Sequence, residues 1–492
     1  MIQLSDHFTY PRLLKFVFPS IVMMIFTSIY SVVDGLFVSN FVGKSAFAAV
    51  NLAMPFLMAF SALGFMMGTG GSAIVAKTLG EGKKEKANEY FSMLVYVTIA
   101  GGIFFSCVQA VLIKPVAIMM GAEGELLKNC ILYGRLSSIS LTAFMLQNVF
   151  QSFFVTAEKP KLGLAVIISA GVTNMVLDLL FVGIFRWGLA GAAIATFCGE
   201  CIGGITPLLY FSRKNSSKLR LGKTRFYGSI LCKTCTNGSS ELMTNLSSSI
   251  VNSMYNLQLM KFSGENGVVA YGTIMYVNFI FAAIFIGYSI GSAPIVSYHY
   301  GAENHSELKN MLNKSLRLIA ITSMVQVVMA QLIAAPLAQI FVGYDAELFR
   351  LTRHGFRIFS LTFLICGFNI FGSSFFTALN NGPLSALISF LRTLVFQLSV
   401  VWILPMFLGI DGIWGSVAIA ELLTICVTVL CLISQRRVSL RLIIDDHLGR
   451  SFLAFDLLTY EKESPVLAFM RHRRLFSLSC YTFFTEWRIG SI

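Results

Sequence analysis

The chain has 492 residues, of which 56% are hydrophobic and 12% are charged, and its formal net charge is +13. This apolar fraction excludes an ordinary soluble globular protein, because a soluble fold could not cover so much hydrocarbon surface. The positive charge lies in short loops between apolar stretches, so it indicates membrane topology and not nucleic-acid binding.

Long apolar stretches follow one another along almost the whole chain. A helix needs about 20 residues to cross a bilayer, at about 1.5 Å per residue. Stretches of this length recur twelve times, at 14–40, 46–76, 90–113, 131–155, 162–184, 189–211, 230–259, 267–297, 315–334, 354–378, 384–408 and 412–434. All are predicted to be helices, because lipid admits only helices or closed barrels and these runs are too long for barrel strands.

Basic residues predict the orientation of these spans. They are concentrated in one set of alternating loops, namely Lys77, Lys83, Lys84, Lys86, Lys159, Lys161, Arg213, Lys214, Lys218, Arg220, Lys223, Arg225, Lys233, Lys309, Lys314 and Arg317. Loops of this kind stay in the cytoplasm. We therefore expect a multi-pass protein of a bacterial cytoplasmic (inner) membrane, with both termini in the cytoplasm.

The chain also repeats itself at an offset of about 221 residues. At this offset Gly70, Gly80, Gly188 and Glu200 fall on Gly291, Gly301, Gly409 and Glu421. Each half holds an even number of spans, so both halves enter the membrane in the same sense, related by an axis along the membrane normal. The predicted fold is an all-α membrane protein with twelve transmembrane helices in two six-helix bundles, a plan suited to alternating access.

The repeat divides the chain into five predicted segments. These are a cytoplasmic N-terminus at 1–13, an N-lobe bundle at 14–211, a basic cytoplasmic linker at 212–229, a C-lobe bundle at 230–434, and a tail at 435–492 to which we assign no role.

Two aspartates inside the predicted spans are the main candidates for function. A charge at mid-bilayer costs about 2.5 to 3.5 kcal/mol on insertion scales. Asp34, Asp178 and Thr196 are predicted to lie at one depth, and Asn174 lies one helical turn from Asp178. Together they form an oxygen-rich site for a hard cation, or a carboxyl pair that holds a proton. The alternative is that each aspartate only makes a structural pair.

The repeat predicts that coupling belongs to the N-terminal half, because Tyr255 and Ser399 stand where Asp34 and Asp178 would recur.

Amides inside the spans are candidates for a substrate cavity. Asn148 and Asn369 are equivalent in the repeat, and Gln147 and Gln151 flank the first of them. Hydrogen bonding between helices is an equally good explanation for such amides. Arg392 also lies in a span and requires a partner, which the sequence does not identify.

The sequence gives little support for nucleotide binding or for enzymatic catalysis. Gly71 to Thr78 reads GSAIVAKT, but Ala76 replaces the second glycine of a phosphate-binding loop and the segment ends a membrane helix. No HExxH motif is present. We therefore expect no enzymatic activity, no ATP, no cofactor and no metal apart from a coupling Na⁺, with an ion gradient as the energy source.

Several motifs resemble one transporter family. Pro19 precedes Asp34 in VVDGLFVSNFVG, AAVNLAMPF follows, and NMVLD at Asn174 to Asp178 precedes Thr196. This set resembles the multidrug and toxic compound extrusion (MATE) family, over about residues 11–435. The resemblance implies that Asp34, Asn174, Asp178 and Thr196 bind the coupling H⁺ or Na⁺. It also implies that helix 1 bends at Pro19, and that Tyr133 lies near the cavity.

The sequence departs from the sodium-coupled branch of that family. Glu241 is expected only about one turn inside span 7, and Asn369 stands where span 10 would carry an acid. The pattern is closer to the DinF/MepA-like bacterial branch. The expected function is a monomeric antiporter that exports organic cations in exchange for H⁺ or Na⁺, with membrane lipid as its surroundings and no nucleic-acid partner. The alternatives are a lipid or polysaccharide-precursor flippase and, less in keeping with the motifs, a membrane enzyme or receptor.

Overall fold

The computed structural model describes residues 2–434, so the predicted tail lies outside the described residues. Twelve helices, here named α1 to α12, account for nearly all of this part. The first six are α1 Tyr10–Phe37, α2 Lys44–Gly80, α3 Lys84–Met119, α4 Gly124–Thr156, α5 Pro160–Asp178 and α6 Gly188–Ser212. Short π-helical turns, Val38–Val42 and Leu179–Ile184, extend α1 and α5.

The second six helices are less regular. One helical stretch, Gly228–Gly301, breaks at Gly264 (φ 58°, ψ −148°) into α7 and α8. The others are α9 His305–Val342; α10, made of Ala346–Phe359, Ser360–Leu364 and Cys366–Ala378; α11, made of Gly382–Phe390, Leu391–Phe396, Gln397–Ile403 and Pro405–Leu408; and α12 Ile410–Ser434.

The twelve-helix prediction is confirmed within residues 2–434. Eleven helical stretches there are long and apolar enough to span a membrane, and the break at Gly264 divides the longest of them in two. Several helices are longer than predicted: α9 begins at His305, whereas the predicted span began at 315. Its first turn is polar and is capped by Asn304, whose side chain accepts from the Glu307 amide at 3.1 Å.

The repeat is visible in the backbone as well as in the sequence. Three pairs of residues separated by 221 positions share a positive φ: Gly43 and Gly264 (113° and 58°), Gly82 and Glu303 (77° and 55°), and Gly188 and Gly409 (60° and 58°). L-residues rarely adopt this conformation, so its recurrence is not accidental. The fold consists of two six-helix lobes related by a parallel internal repeat, as predicted.

The two lobes touch closely at the face where α1 begins and α12 ends, here called the terminal face. A Cβ atom on Gly80 of α2 would overlap the Tyr298 carbonyl oxygen, and one on Gly301 of α8 would overlap the Lys77 carbonyl oxygen. Gly80 and Gly301 are repeat equivalents, and so are Lys77 and Tyr298. The contact is therefore formed twice, once on each side of the pseudo-twofold axis, and only glycine permits it.

The N-terminal segment, residues 2–9, joins the lobes at the same face. The Leu4 amide donates to Glu158 Oε1 (2.6 Å), between α4 and α5, and the Phe8 amide donates to Glu307 Oε1 (2.9 Å), at the start of α9. Lys314 Nζ donates to the Phe8 carbonyl at 2.6 Å. Leu4 and Phe8 are fully buried, so this segment is packed into the fold.

Aromatic packing makes the terminal half of the N-lobe rigid. The Phe91 ring lies 4.8 Å from that of Phe153 and 5.1 Å from that of Phe211, while the rings of Phe150 and Phe211 stack at 5.7 Å. The predicted basic linker lies along α3, where the Arg220 amide donates to Asn88 Oδ1 at 2.8 Å. These contacts close the N-lobe on its terminal side, and a cavity lies between its helices on the opposite side.

Candidate functional site

A cavity of about 320 Å³ lies within the N-lobe, towards the face opposite the terminal face. Side chains from α1 to α6 line it, and Asn245 of α7 reaches it from the C-lobe. Because helices of both lobes contribute to the wall, relative movement of the lobes would change its shape.

The four residues predicted to form the ion site come together in this region. The Asp34 carboxyl on α1 contacts the Asp178 carboxyl on α5 and the Thr196 hydroxyl on α6. Asn174 Nδ2 points to Thr196 Oγ1 at 3.5 Å, and Asp178 is 0% exposed. The prediction of a common depth is therefore met by the geometry.

Local sequence explains how α5 and α6 bring these groups together. Asn174 and Asp178 lie on one face of α5, and a π-helical turn starts directly after Asp178. On α6, a Cβ atom at Gly199 would lie 2.9 Å from the Ala170 carbonyl oxygen and 3.0 Å from Asn174 Cβ. Glycine at 199 thus allows α6 to approach the polar face of α5.

The oxygen atoms of this group are poorly satisfied. Asp34 Oδ1, both Asp178 carboxyl oxygens and Asn174 Oδ1 are buried and have no hydrogen-bond partner among the described residues. Two adjacent carboxyl groups supply acceptors only, unless one of them carries a proton. A shared proton or a hard cation such as Na⁺ is the kind of species that this arrangement can accept.

Four residues predicted for the substrate cavity do line it. Tyr133, Gln147, Asn148 and Gln151 of α4 all contribute to its wall. Asn148 Nδ2 donates to the Phe144 carbonyl of its own helix at 2.9 Å, and Gln151 Nε2 lies 3.1 Å from Met24 Sδ on α1. Gln147 Oε1 is buried without a partner among the described residues.

The prediction for Asn369 is wrong. This residue is 0% exposed and lines neither lobe's cavity; its Nδ2 donates to the Glu421 carbonyl (2.9 Å) and carboxylate (2.7 Å) on α12. Thr428 donates to Asn369 Oδ1 at 3.2 Å. The amide joins α10 to α12, which is the alternative that the sequence left open.

Arg392 has a partner that the sequence did not identify. Its Nε and Nη2 lie 2.8 and 2.7 Å from Glu421 Oε1. Both side chains are enclosed, with 17% of Arg392 and 1% of Glu421 exposed. Arg392 also lines a second cavity, of about 300 Å³ in the C-lobe, together with Glu241 and Tyr255.

The expected position of Glu241 also requires correction. It lies about 20 Å along the axis of α7 from Gly228, at about 1.5 Å per residue, and not one turn inside. At this depth along α7, Glu241 lines the C-lobe cavity.

Sequence reasoning missed three N-lobe cavity residues: Tyr30, Gln109 and Glu200. Both amide atoms of Gln109 and Glu200 Oε2 are buried without a partner among the described residues. Glu200 is one helical turn from Thr196, and the repeat already marked it as the equivalent of Glu421. An acid within a span, on the face of an identified site residue, was the available signal.

Pro19 lies inside α1, about 22 Å from Asp34 along the helix axis. Proline has no N–H to donate to the carbonyl four residues earlier, so α1 is locally weakened at this point. Directly beside it, a Cβ atom on Gly287 of α8 would lie 2.7 Å from the Ser20 carbonyl oxygen. Its predicted role as a bending point remains a prediction.

Known proteins of similar sequence support a family assignment. The family model described as MatE matches the chain twice, at residues 19–180 and 242–403, once in each lobe. Multidrug export protein MepA of Staphylococcus haemolyticus is 20% identical over 85% of this chain and 91% of its own length.

Solved structures show the same fold. A multidrug resistance MATE family transporter of the MOP superfamily, in an outward-facing conformation, superposes with a TM-score of 0.83 at 21% identity, over 87% of this chain and 96% of that one. A MOP superfamily transporter from Pyrococcus furiosus, described as having a binding pocket of reverse polarity, gives a TM-score of 0.79 at 22% identity, over 86% and 95% of the two chains.

Proposed function

The chain belongs to the MATE family, and we propose that it is a secondary-active multidrug exporter that exchanges an organic cation for H⁺ or Na⁺. The observation that carries this proposal is the contact between the Asp34 and Asp178 carboxyl groups beside a cavity large enough for a small organic molecule. Such a pair binds one positive ion more readily than it remains doubly charged.

The coupling follows from the positions of the two acids. Asp34 is on α1 and Asp178 is on α5, so an ion that binds between them draws the two helices together, and its release lets them separate. Pro19 provides a weak point at which α1 bends in response. Bending changes the wall of the N-lobe cavity, to which Met24, Thr27 and Tyr30 of the same helix belong.

A pump also requires that access alternate between the two sides of the membrane. In the described state the lobes are in backbone contact at the terminal face, through Gly80 and Gly301. We assign this face to the cytoplasm of a bacterial inner membrane, because it carries the basic loops. Substrate would then leave through the opposite face, while an ion enters from outside.

The charges of the N-lobe cavity favour cationic substrates. Asp34 and Glu200 are among the described residues that line it, whereas lysine and arginine are not. A flippase for anionic lipid or polysaccharide precursors would require basic groups facing its headgroup. Arg392, in the C-lobe cavity, is already neutralised by Glu421.

The experiment is dye transport by the purified protein in proteoliposomes. Ethidium uptake would be measured with an imposed proton gradient, with an imposed sodium gradient and with neither. We expect accumulation against the dye gradient with at least one of the two ions, and the ion that drives it is the coupling ion. Equal uptake under all three conditions would contradict the proposal.

A further inference from the structure

We infer that the Glu200 carboxylate, with the rings of Tyr30 and Tyr133, binds the positive charge of a flat organic cation beside the Asp34–Asp178 pair. The inference rests on the proposed function and names the residue that selects the substrate. It separates two tasks within one cavity: Asp34 and Asp178 bind the coupling ion, and Glu200 binds the transported molecule.

The first observation is that Glu200 is an acid without a countercharge. Its Oε2 is buried and has no hydrogen-bond partner among the described residues, while the Ser140 hydroxyl contacts the carboxyl group. The described residues that line the cavity include no lysine or arginine. A carboxylate in such surroundings is stabilised by a cation that enters from outside.

The second observation is the C-lobe equivalent of this glutamate. Glu421 occupies the same place in the repeat, and there the Arg392 guanidinium lies 2.7 Å from its carboxylate. The guanidinium is a flat, delocalised cation supplied by the chain itself. The C-lobe therefore shows which kind of charge this position accepts.

The third observation is what replaces the arginine in the N-lobe. The repeat equivalent of Arg392 is Gly171, and a Cβ atom there would lie 2.5 Å from Phe26 Cε1 and 2.9 Å from Tyr30 Cδ1. Aromatic rings thus stand where the C-lobe has a guanidinium. Tyr30 and Tyr133 line the same cavity as Asp34 and Glu200. Aromatic faces attract cations and stack on flat ones.

The fourth observation separates Glu200 from the ion site. No group of three His, Cys, Asp or Glu side chains within residues 2–434 is close enough to hold one metal ion together. Glu200 therefore does not complete a three-carboxylate ion site with Asp34 and Asp178. It remains close enough to Asp34 to interact electrostatically, so ion binding at the pair and cation binding at Glu200 influence each other.

The test compares two ligands that share a flat ring system and differ in charge. N-methylacridinium is a permanent cation, whereas acridine is neutral at mildly alkaline pH. Binding to the purified full-length protein would be measured by fluorescence. We expect Glu200→Gln to weaken N-methylacridinium binding about tenfold or more and to change acridine binding by less than about twofold. Glu200→Asp should recover part of the affinity for the cation.

The matched control is Glu241→Gln, which removes a carboxyl group from the C-lobe cavity. It should leave the affinity for N-methylacridinium within about twofold of the original chain. Greater loss in Glu241→Gln than in Glu200→Gln would overturn the inference and place the cation in the other lobe. Equal loss of both ligands in Glu200→Gln would also overturn it, because a packing defect does not distinguish charge.

A transport measurement distinguishes failure of the inference from failure of the proposed function. Glu200→Gln should still accumulate a neutral or weakly charged substrate in response to the ion gradient. Loss of that response with cation binding intact would assign Glu200 to the ion site and overturn the inference, while the exporter proposal would stand. Absence of gradient-driven transport in the unaltered chain would overturn the proposed function itself.

Discussion

The two lobes place a glutamate at the same position and surround it differently. In the C-lobe, Glu421 accepts from Arg392 and Asn369, so its charge is neutralised within the fold. In the N-lobe, Glu200 has no arginine nearby among the described residues that line its cavity. The repeat equivalent of Arg392 is Gly171, so the chain supplies no guanidinium to Glu200 from this position.

This difference shows how a duplicated bundle can divide its tasks. The helix positions and two pairs of positive-φ glycines, Gly43 with Gly264 and Gly188 with Gly409, are shared by the two halves, because both must satisfy the same backbone geometry in lipid. The two aspartates are not shared: Asp34 corresponds to Tyr255, and Asp178, fully buried, corresponds to the exposed Ser399. On the proposed function, the N-lobe is the half in which a mobile ion or ligand would supply the positive charge that Arg392 supplies in the C-lobe.

The largest effect is expected from removing the Asp34 charge. Asp34→Asn should abolish gradient-driven dye accumulation in proteoliposomes, because an amide beside Asp178 no longer forms a carboxyl pair. The equivalent change in the other lobe, Tyr255→Phe, removes a hydroxyl that carries no charge.

We expect Tyr255→Phe to retain the gradient response. If the two variants lose the response to the same degree, the contrast between the lobes does not extend to coupling.

A second prediction tests the ion pair between Arg392 and Glu421 in the C-lobe. Arg392→Leu should lower the free energy of unfolding by about 3 to 5 kcal/mol, because it leaves Glu421 buried without its cation. The double variant Arg392→Leu with Glu421→Leu should regain most of that loss. Thermal unfolding in detergent measures both, and a double variant no more stable than the single one would show that the pair does not act as a unit.

A third prediction concerns the glycine contact that the lobes share. Gly80→Ala or Gly301→Ala places a methyl group against a backbone carbonyl of the other lobe, so closure of the terminal face should weaken by about 1 to 3 kcal/mol. Hydrogen–deuterium exchange at residues 77–80 and 298–301 should rise in both variants.

Gly101→Ala and Gly272→Ala are the matched controls, since a Cβ atom at either position meets nothing within 4 Å. Increased exchange at the terminal face in these controls would mean that the effect does not come from the contact.

The smallest effect should separate the two equivalent asparagines. Asn369→Ala removes a buried amide that joins two helices, so it should cost about 1 to 3 kcal/mol of unfolding free energy. Asn148 donates only to its own helix, so Asn148→Ala should cost less than about 1 kcal/mol and should instead change the affinity for cavity ligands. Equal losses of stability would remove this distinction between the lobes.

The helices and the grouping of Asp34, Asp178 and Thr196 could be predicted from the sequence for a common reason. Lipid forces twelve apolar stretches into helices, and charges within them are too expensive to be incidental. Asp34, Asp178 and Thr196 could be placed at one depth, because the number of residues between a side chain and a short turn gives its depth in a pair of antiparallel helices.

The errors for Asn369 and Arg392 have a different physical origin. Depth can be counted along a helix, but the direction of a side chain around the helix depends on packing that a single sequence does not reveal. Asn148 and Asn369 occupy equivalent positions, yet only the first faces a cavity, because Glu421 and Thr428 hold the second. The pairing of Arg392 with Glu421 joins residues on different helices, which spacing alone cannot show.

The N-terminal segment has a consequence for conditions inside a cell. Its amides bond to Glu158 and Glu307, whose side chains are almost completely buried. Dissolved salt screens exposed ion pairs strongly and buried ones far less. The two hydrogen bonds that these amides donate to buried carboxylates should therefore depend little on the salt concentration around the protein.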